Sequence, residues 1–170
     1  RRCRVTDNLG SGIWFDGALG EIRIEDNLVA RNTQGIFYEI AAPAAGDAFG
    51  ALIRNNRVID NGSQGIYISA SAGAVIANNT CDGNEWDIVL HGMPRTDVGG
   101  VCRLRDNQVR DNIVRGRNAD IIAFIGKDSA DNVVDGNFYA AAGREPPGAR
   151  FSATAAGYSV TQYPDLGELF

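Results

Sequence analysis

Imidazole and amine chemistry have almost no place in this chain: 170 residues hold one histidine, His91, and one lysine, Lys127, against fifteen arginines. Any reaction run here must rest mainly on carboxylates, arginine and tyrosine. Cysteine is scarce and odd in number, at Cys3, Cys81 and Cys102 with no C-x-x-C pair, so neither a disulfide framework nor a zinc site is suggested. The three read as free, buried thiols. No apolar run approaches the roughly 18 residues that cross a bilayer, and 44% hydrophobic with 22% charged residues is the composition of a folded chain. Excess cation is missing too, since a net charge of −5 removes the electrostatic basis for a nucleic-acid partner. The opening Arg-Arg-Cys-Arg lacks the apolar core of a signal peptide and runs straight into a repeat, which reads as a piece of a longer protein, with upstream coils or another domain before it.

What the sequence does have is a repeat, Asn-x-x-x-x-Asn around a small apolar residue. Its copies are Asn27–Asn32, Asn56–Asn61, Asn79–Asn84 and Asn107–Asn112, with Cys3 to Asn8 as a fifth that carries Cys3 in the first Asn slot. The leading positions stand 29, 23 and 28 residues apart, so a coil of about 23 residues carries two insertions. An aliphatic residue precedes each copy by three (Ile24, Ile53, Ile76, Leu104), and short alternating segments follow: GIWFD, GIFYE, GIYIS, DIVLH. Helical periodicity is absent, and this density of Asn and Gly suits corners, not helix interiors. Three short strands per coil, five to six coils in all, predict a right-handed parallel β-helix over residues 1–137, with an irregular segment at 138–170 covering its end. At the corners, Asn is expected to accept left-handed backbone while its amide bonds from coil to coil. Inward rows are expected at Ile13, Ile36, Ile66, Ile88, at Phe15, Tyr38, Ile68, Leu90, and at Val5, Val29, Val58, Cys81, Val109; Cys102, aligned with Ile22, Ala51 and Ala74, reads as core filler like Cys81.

Between the inward rows, strand alternation turns two columns to solvent. One is Trp14, Phe37, Tyr67, Val89, and the other is Asp16, Glu39, Ser69, His91. Rings beside carboxylates are what a sugar polymer asks for: ring faces stack on C–H surfaces and acids take hydroxyl hydrogen bonds. The insertions AAPAAGDAFG (41–50) and HGMPRTDVGG (91–100) leave after this same strand, on coils flanking Ser69, and are expected to wall a cleft. The expected ligand-binding set is Trp14, Phe37, Tyr67, Ser69 and Arg95. An exposed ring column also suits cross-rung packing, or a face covered by another part of the protein. A sugar surface ranks first because the polar groups and the loops converge on it.

Taken as I-x-x-N-x-V-x-x-N followed by G-I, the coils resemble the right-handed parallel β-helix superfamily of pectate lyases, polygalacturonases and alginate-active enzymes, and GSGIWFD and QGIFYEI resemble segments of secreted bacterial β-helix repeat proteins. The resemblance implies a polysaccharide substrate and a secreted or cell-surface location. None of those families' catalytic sets is present: there is no Asp-rich calcium motif, strand lysine or polygalacturonase-type acid set. Two chemistries stay open. As a hydrolase, Asp16 and Glu39 on adjacent rungs are the acid and nucleophile pair, near the ~5–5.5 Å of a retaining enzyme; as a lyase or epimerase, Tyr67 with His91 supplies the base and Arg95 neutralises a uronate. The competing class is a non-catalytic glycan-binding or spacer module. Asp16 and Glu39 fall short of the roughly 6–8 oxygens calcium prefers, so no metal or other cofactor is expected.

Overall fold

The alternating segments wind into three parallel sheets that stack coil on coil. The computed structural model describes residues 1–18, 20–92, 95–97, 100–115, 121–124, 130–139, 149–152 and 158–160. The first coil holds β1 (Arg4–Thr6), β2 (Ser11–Asp16) and β3 (Ile22–Glu25); the second holds β4 (Leu28–Ala30), β5 (Gln34–Glu39) and β6 (Ala51–Arg54). The third holds β7 (Arg57–Ile59), β8 (Gln64–Ser69) and β9 (Ala74–Ala77). In the fourth, β10 (Thr80–Asp82) and β11 (Trp86–His91) are followed by an antiparallel hairpin, β12 (Arg95–Asp97) and β13 (Gly100–Cys102), before β14 (Gln108–Arg110). The fifth holds β15 (Ile113–Arg115), β16 (Ile121–Phe124) and β17 (Asn132–Asp135), and the sixth β18 (Phe138–Tyr139), β19 (Ala149–Ser152) and β20 (Tyr158–Val160). Each sheet therefore has six strands, in the orders β1-β4-β7-β10-β15-β18, β2-β5-β8-β11-β16-β19 and β3-β6-β9-β14-β17-β20. The right-handed parallel β-helix is the fold. The stretch expected to cover the end, 138–170, lies largely outside the described residues, and its described parts add a rung to each sheet. Among the described residues no helix is long and apolar enough to cross a membrane.

The core is a set of rows along the axis. Ile36, Ile66 and Ile88 form one, and Tyr38, Ile68 and Leu90 a second, all fully buried, while Ile13 and Phe15 continue the rows on the half-buried first rung. A third row is Val5, Val29, Val58, Cys81, Val114 and Tyr139. Val114 takes the place expected for Val109, which instead follows Ile24, Ile53 and Ile76 in place of Leu104. The repeat slips because Asn107–Asn112 brackets β14 in the third sheet, whereas the earlier copies bracket strands of the first sheet. The hairpin thus lengthens the fourth coil, and Asn112, not Asn107, accepts the ladder bond from Asn79. Cys102 lies in the hairpin opposite Arg95, and Asn107 occupies the place beside Ala74 expected for it. Cys81 is core filler, with burial pushing its thiol well above the usual range. Cys3 is exposed, against expectation, at the edge of the described first sheet just before β1.

Left-handed backbone sits one residue earlier than expected. Asp7, Asp26, Arg31, Asn55, Asp60, Asn78, Gly83, Asp106, Asp111, Asp131 and Gly136 all have positive φ, and each directly precedes a ladder asparagine. Most are Asp, Asn or Gly, the types that tolerate this conformation. That turn aims the next side chain inward, where Asn27, Asn56, Asn79, Asn112 and Asn137 pass Nδ2 to Oδ1 bonds of 2.9 to 3.0 Å from coil to coil. The same Oδ1 accepts a backbone N–H of the preceding coil, as Asn79 does from Asn56 at 3.0 Å. A second ladder runs Asn8, Asn32, Asn61, Asn84 and reaches the buried Asp87 carboxylate, 2.9 Å from Asn84 Nδ2.

Candidate functional site

The middle sheet carries the site. Its register pairs Trp14 with Phe37, Phe37 with Tyr67 and Tyr67 with Val89, and beside them Asp16 with Glu39, Glu39 with Ser69 and Ser69 with His91. The columns stand as expected, but their surroundings differ. Trp14 is 56% exposed, Phe37 and Tyr67 are half-buried, and Val89 is buried. The rings stack on one another: Trp14 and Phe37 have centroids 5.8 Å apart at 8°, and Phe37 and Tyr67 4.6 Å apart at 13°. On the fourth rung the stack continues through His91, not Val89, at 6.1 Å and 26°. Phe37 thus has a ring against each face and presents its edge outward.

Tyr67 and His91 are bonded as well as stacked, with Oη of the phenol 2.7 Å from Nδ1 of the imidazole. Burial, aided by the Glu39 carboxylate, raises the phenol above its ordinary value, and burial lowers the imidazole. Both effects favour the uncharged forms, a protonated phenol beside a neutral imidazole. This pair shares one proton across a short bond at the surface of the sheet.

The acidic column divides. Asp16 is exposed, whereas Glu39 is 7% and Ser69 1% exposed, against the expectation that the whole column faces solvent. Arg95, the first residue of β12, accounts for Glu39: its Nη2 donates to Oε1 at 3.0 Å. The Ser69 hydroxyl is close enough to Tyr67 to act on the titration of the phenol, but Oγ is sealed from solvent and has no hydrogen-bond partner among the described residues. The two insertions follow β5 and β11, the strands on either side of the Ser69 rung. Of the second insertion, residues 93, 94, 98 and 99 lie outside the described residues and Arg95 bonds Glu39, while the 41–50 loop packs back toward the first coil, with Ala42 bonded to Ala18 and Arg23 lying 4.8 Å over the Phe49 ring.

Backbone strain marks the same column. Ile40 follows Glu39 with φ at 49° and Ala70 follows Ser69 with φ at 45°, where the first rung has Gly17 at 63°. Residue type gives no warning of this, because a β-branched side chain is the opposite of what left-handed backbone selects.

A family model described as "NosD: Periplasmic copper-binding protein (NosD)" matches residues 1–98. No curated protein and no solved structure matches the chain. The matched stretch contains the first three coils, β10 and β11, and every residue of the site from Trp14 to Arg95.

Proposed function

Because the chain belongs to the periplasmic NosD family of right-handed β-helices, we propose that it acts outside the cytoplasm on an acidic polysaccharide lying along the Trp14–Phe37–Tyr67–His91 strip, and cleaves it by elimination. The observation that carries this reading is the 2.7 Å bond between Tyr67 and His91. Elimination next to a uronate carboxyl needs a base for the carbon 5 proton and an acid for the leaving oxygen. Tyr67 takes the carbon 5 proton as its own passes to Nδ1 of His91. The C–H electron pair becomes the double bond to carbon 4, the C4–O bond breaks, and the leaving oxygen collects the proton held by the pair. Arg95 is the cation that offsets the substrate carboxylate, and Trp14, the most open ring, is the platform for a neighbouring sugar. The chemistry uses no cofactor. Hydrolysis by Asp16 and Glu39 is the weaker variant, since Glu39 is buried and already carries an ion pair with Arg95.

Copper, named in the family description, has no ligand set among the described residues; Met93 and the side chain of Cys102 lie outside them. The protein ligands of copper are chiefly imidazole, thiolate and thioether. His91 is the only imidazole, Cys81 is sealed in the core, and Cys3 lies on the first rung of a different sheet. Among the described residues no three His, Cys, Asp or Glu side chains gather.

A second reading, a glycan-binding or spacer module that does not cleave, is favoured by the ring stack, which spends the faces of Phe37 on its neighbours. The test is incubation of the chain with polygalacturonate, alginate and a neutral β-glucan, following the ultraviolet absorbance of the unsaturated uronate and the quenching of Trp14. Elimination is expected on an acidic polymer, with Tyr67→Phe and His91→Gln each losing about 10²-fold or more and Asp16→Asn retaining most activity. New reducing ends without unsaturated product would return the role to Asp16 and Glu39, and quenching without cleavage would favour the second reading.

A further inference from the structure

Asp16, Glu39 and Ser69 are equivalent by register and alternation, yet only Asp16 is exposed. The cover is local to the second and third rungs. Arg95 bonds Glu39 on the second rung, and its charge also acts on Tyr67 on the third, so the guanidinium lies against the covered part of the column. On the third rung, next to Glu39 in register, lies the Ser69 hydroxyl, buried and without a hydrogen-bond partner among the described residues. An unsatisfied buried polar group carries a desolvation penalty and calls for a reason. The backbone under the two covered residues is held in left-handed geometry by Ile40 and Ala70, where only Gly adopts it freely.

We propose that Arg95 is a strap over a latent subsite, formed by Glu39 and Ser69 with Tyr67 and His91 at its edge, which one hydroxyl-bearing sugar unit occupies when the strap lifts. The inference rests on the reading that a glycan lies along the strip, and names where that glycan is gripped. A sugar hydroxyl gives Ser69 Oγ the partner it lacks, and two neighbouring hydroxyls donate to the Glu39 carboxylate in place of the guanidinium. Arg95 is then released to the substrate carboxylate. The exchange makes the strap selective: a ligand must replace the ion pair with hydroxyl donors at Glu39 and an anion at Arg95, and a neutral or hydroxyl-poor polymer supplies only one of these.

The test places a thiol under the strap. Ser69→Cys in a Cys3→Ser background is treated with a neutral maleimide, and modification at position 69 is followed by mass spectrometry. Labelling is expected to be slow, to rise about tenfold or more when Arg95→Gln or Glu39→Gln removes the partly buried ion pair, and to slow again when oligogalacturonate is added. Hydrogen exchange at the Ile40 and Ala70 amides, in chains that keep Ser69, reports the same opening should the cysteine variant misfold. Labelling and exchange that ignore both substitutions overturn the strap. Oligogalacturonate that quenches Trp14 but leaves position 69 unprotected overturns the subsite while the glycan reading stands. Faster labelling in the variants, with neither quenching nor protection, upholds the strap and overturns both the subsite and the glycan reading.

Discussion

Ile40 is the residue whose chemistry and conformation disagree most. Its φ of 49° lies in a region that costs a non-glycine residue about 1–2 kcal/mol, and every ladder corner of the described coils except those at Arg2 and Arg31 meets that demand with Asp, Asn or Gly. Strain of this kind persists where the surroundings over-determine the backbone, and here it lies beside Glu39 and its ion pair. Ile40→Gly relieves the strain, gives back about 0.5–1 kcal/mol in glycine's unfolded entropy, and loses the contacts of a half-buried side chain. The expected balance is a change within about 1 kcal/mol of zero by urea denaturation, against about 2–5 kcal/mol for the typical truncation of a buried Ile. A loss of 2 kcal/mol or more would mean that the side chain, not the backbone, is what position 40 supplies. The Asp-Asn, Asn-Asn and Gly-Asn pairs were legible in the sequence as corners. Which of the two residues turns left was not, because both types tolerate that conformation and only the inward aim of the second side chain decides it.

At the scale of the strand and its corner, the asparagine ladder sets the register. Asn79 shows how fully one rung is bonded: Nδ2 donates to Ile53 O at 2.9 Å and to Asn112 Oδ1 at 3.0 Å, and Oδ1 accepts from Asn56 N at 3.0 Å and Asn56 Nδ2 at 2.9 Å. Asn79→Ala strands two donors and a carbonyl in a dry interior, each worth about 1–3 kcal/mol. The expected loss is about 3 kcal/mol or more in denaturant unfolding. Asn8→Ala, on the exposed first rung where the described bond of its side chain is the single donation to Asn32, should lose less than half as much in this chain, and equal losses would show that the ladder adds nothing beyond local corner geometry. The five-residue Asn spacing made the first three coils readable and misled at the fourth. Asn107–Asn112 and Asn132–Asn137 repeat the same spacing around strands of another sheet, so spacing alone cannot say which face of the prism a pair encloses. The hairpin that decides it, β12 and β13, has no counterpart among the described residues of the other coils. The site divides in the same way: its columns follow from alternation, whereas the burial of Glu39 and Ser69 depends on Arg95, a contact across 56 positions that no local pattern records.

For the whole molecule, coils touch only their neighbours, so the spacing between them is the variable through which packing reaches the site. That spacing is set where Gly12, Gly35 and Gly65 stack at the starts of β2, β5 and β8, against the second asparagine ladder. A Cβ at Gly35 runs into the carbonyl oxygen of Gly65 and comes within 2.8 Å of Val58 Cγ1 and 3.1 Å of Asn61 Nδ2; one at Gly65 comes within 2.7 Å of Asp87 O. Backbone carbonyls in a paired sheet have no rotamer to retreat into, so the coils must part. Gly35→Ala is therefore expected to lose about 1–3 kcal/mol, the usual range for overpacking. It should also weaken the near-ultraviolet dichroism of the Trp14, Phe37 and Tyr67 stack, because Phe37 and Glu39 ride on the same strand as the displaced glycine and the ring and ion-pair distances cross the parted interface. Gly10→Ala, with nothing within 4 Å of the new methyl, should change neither. If Gly35→Ala unfolds like the parent and keeps the aromatic signal, the coils are looser than this packing requires, and a site held across four rungs by their spacing loses its physical basis.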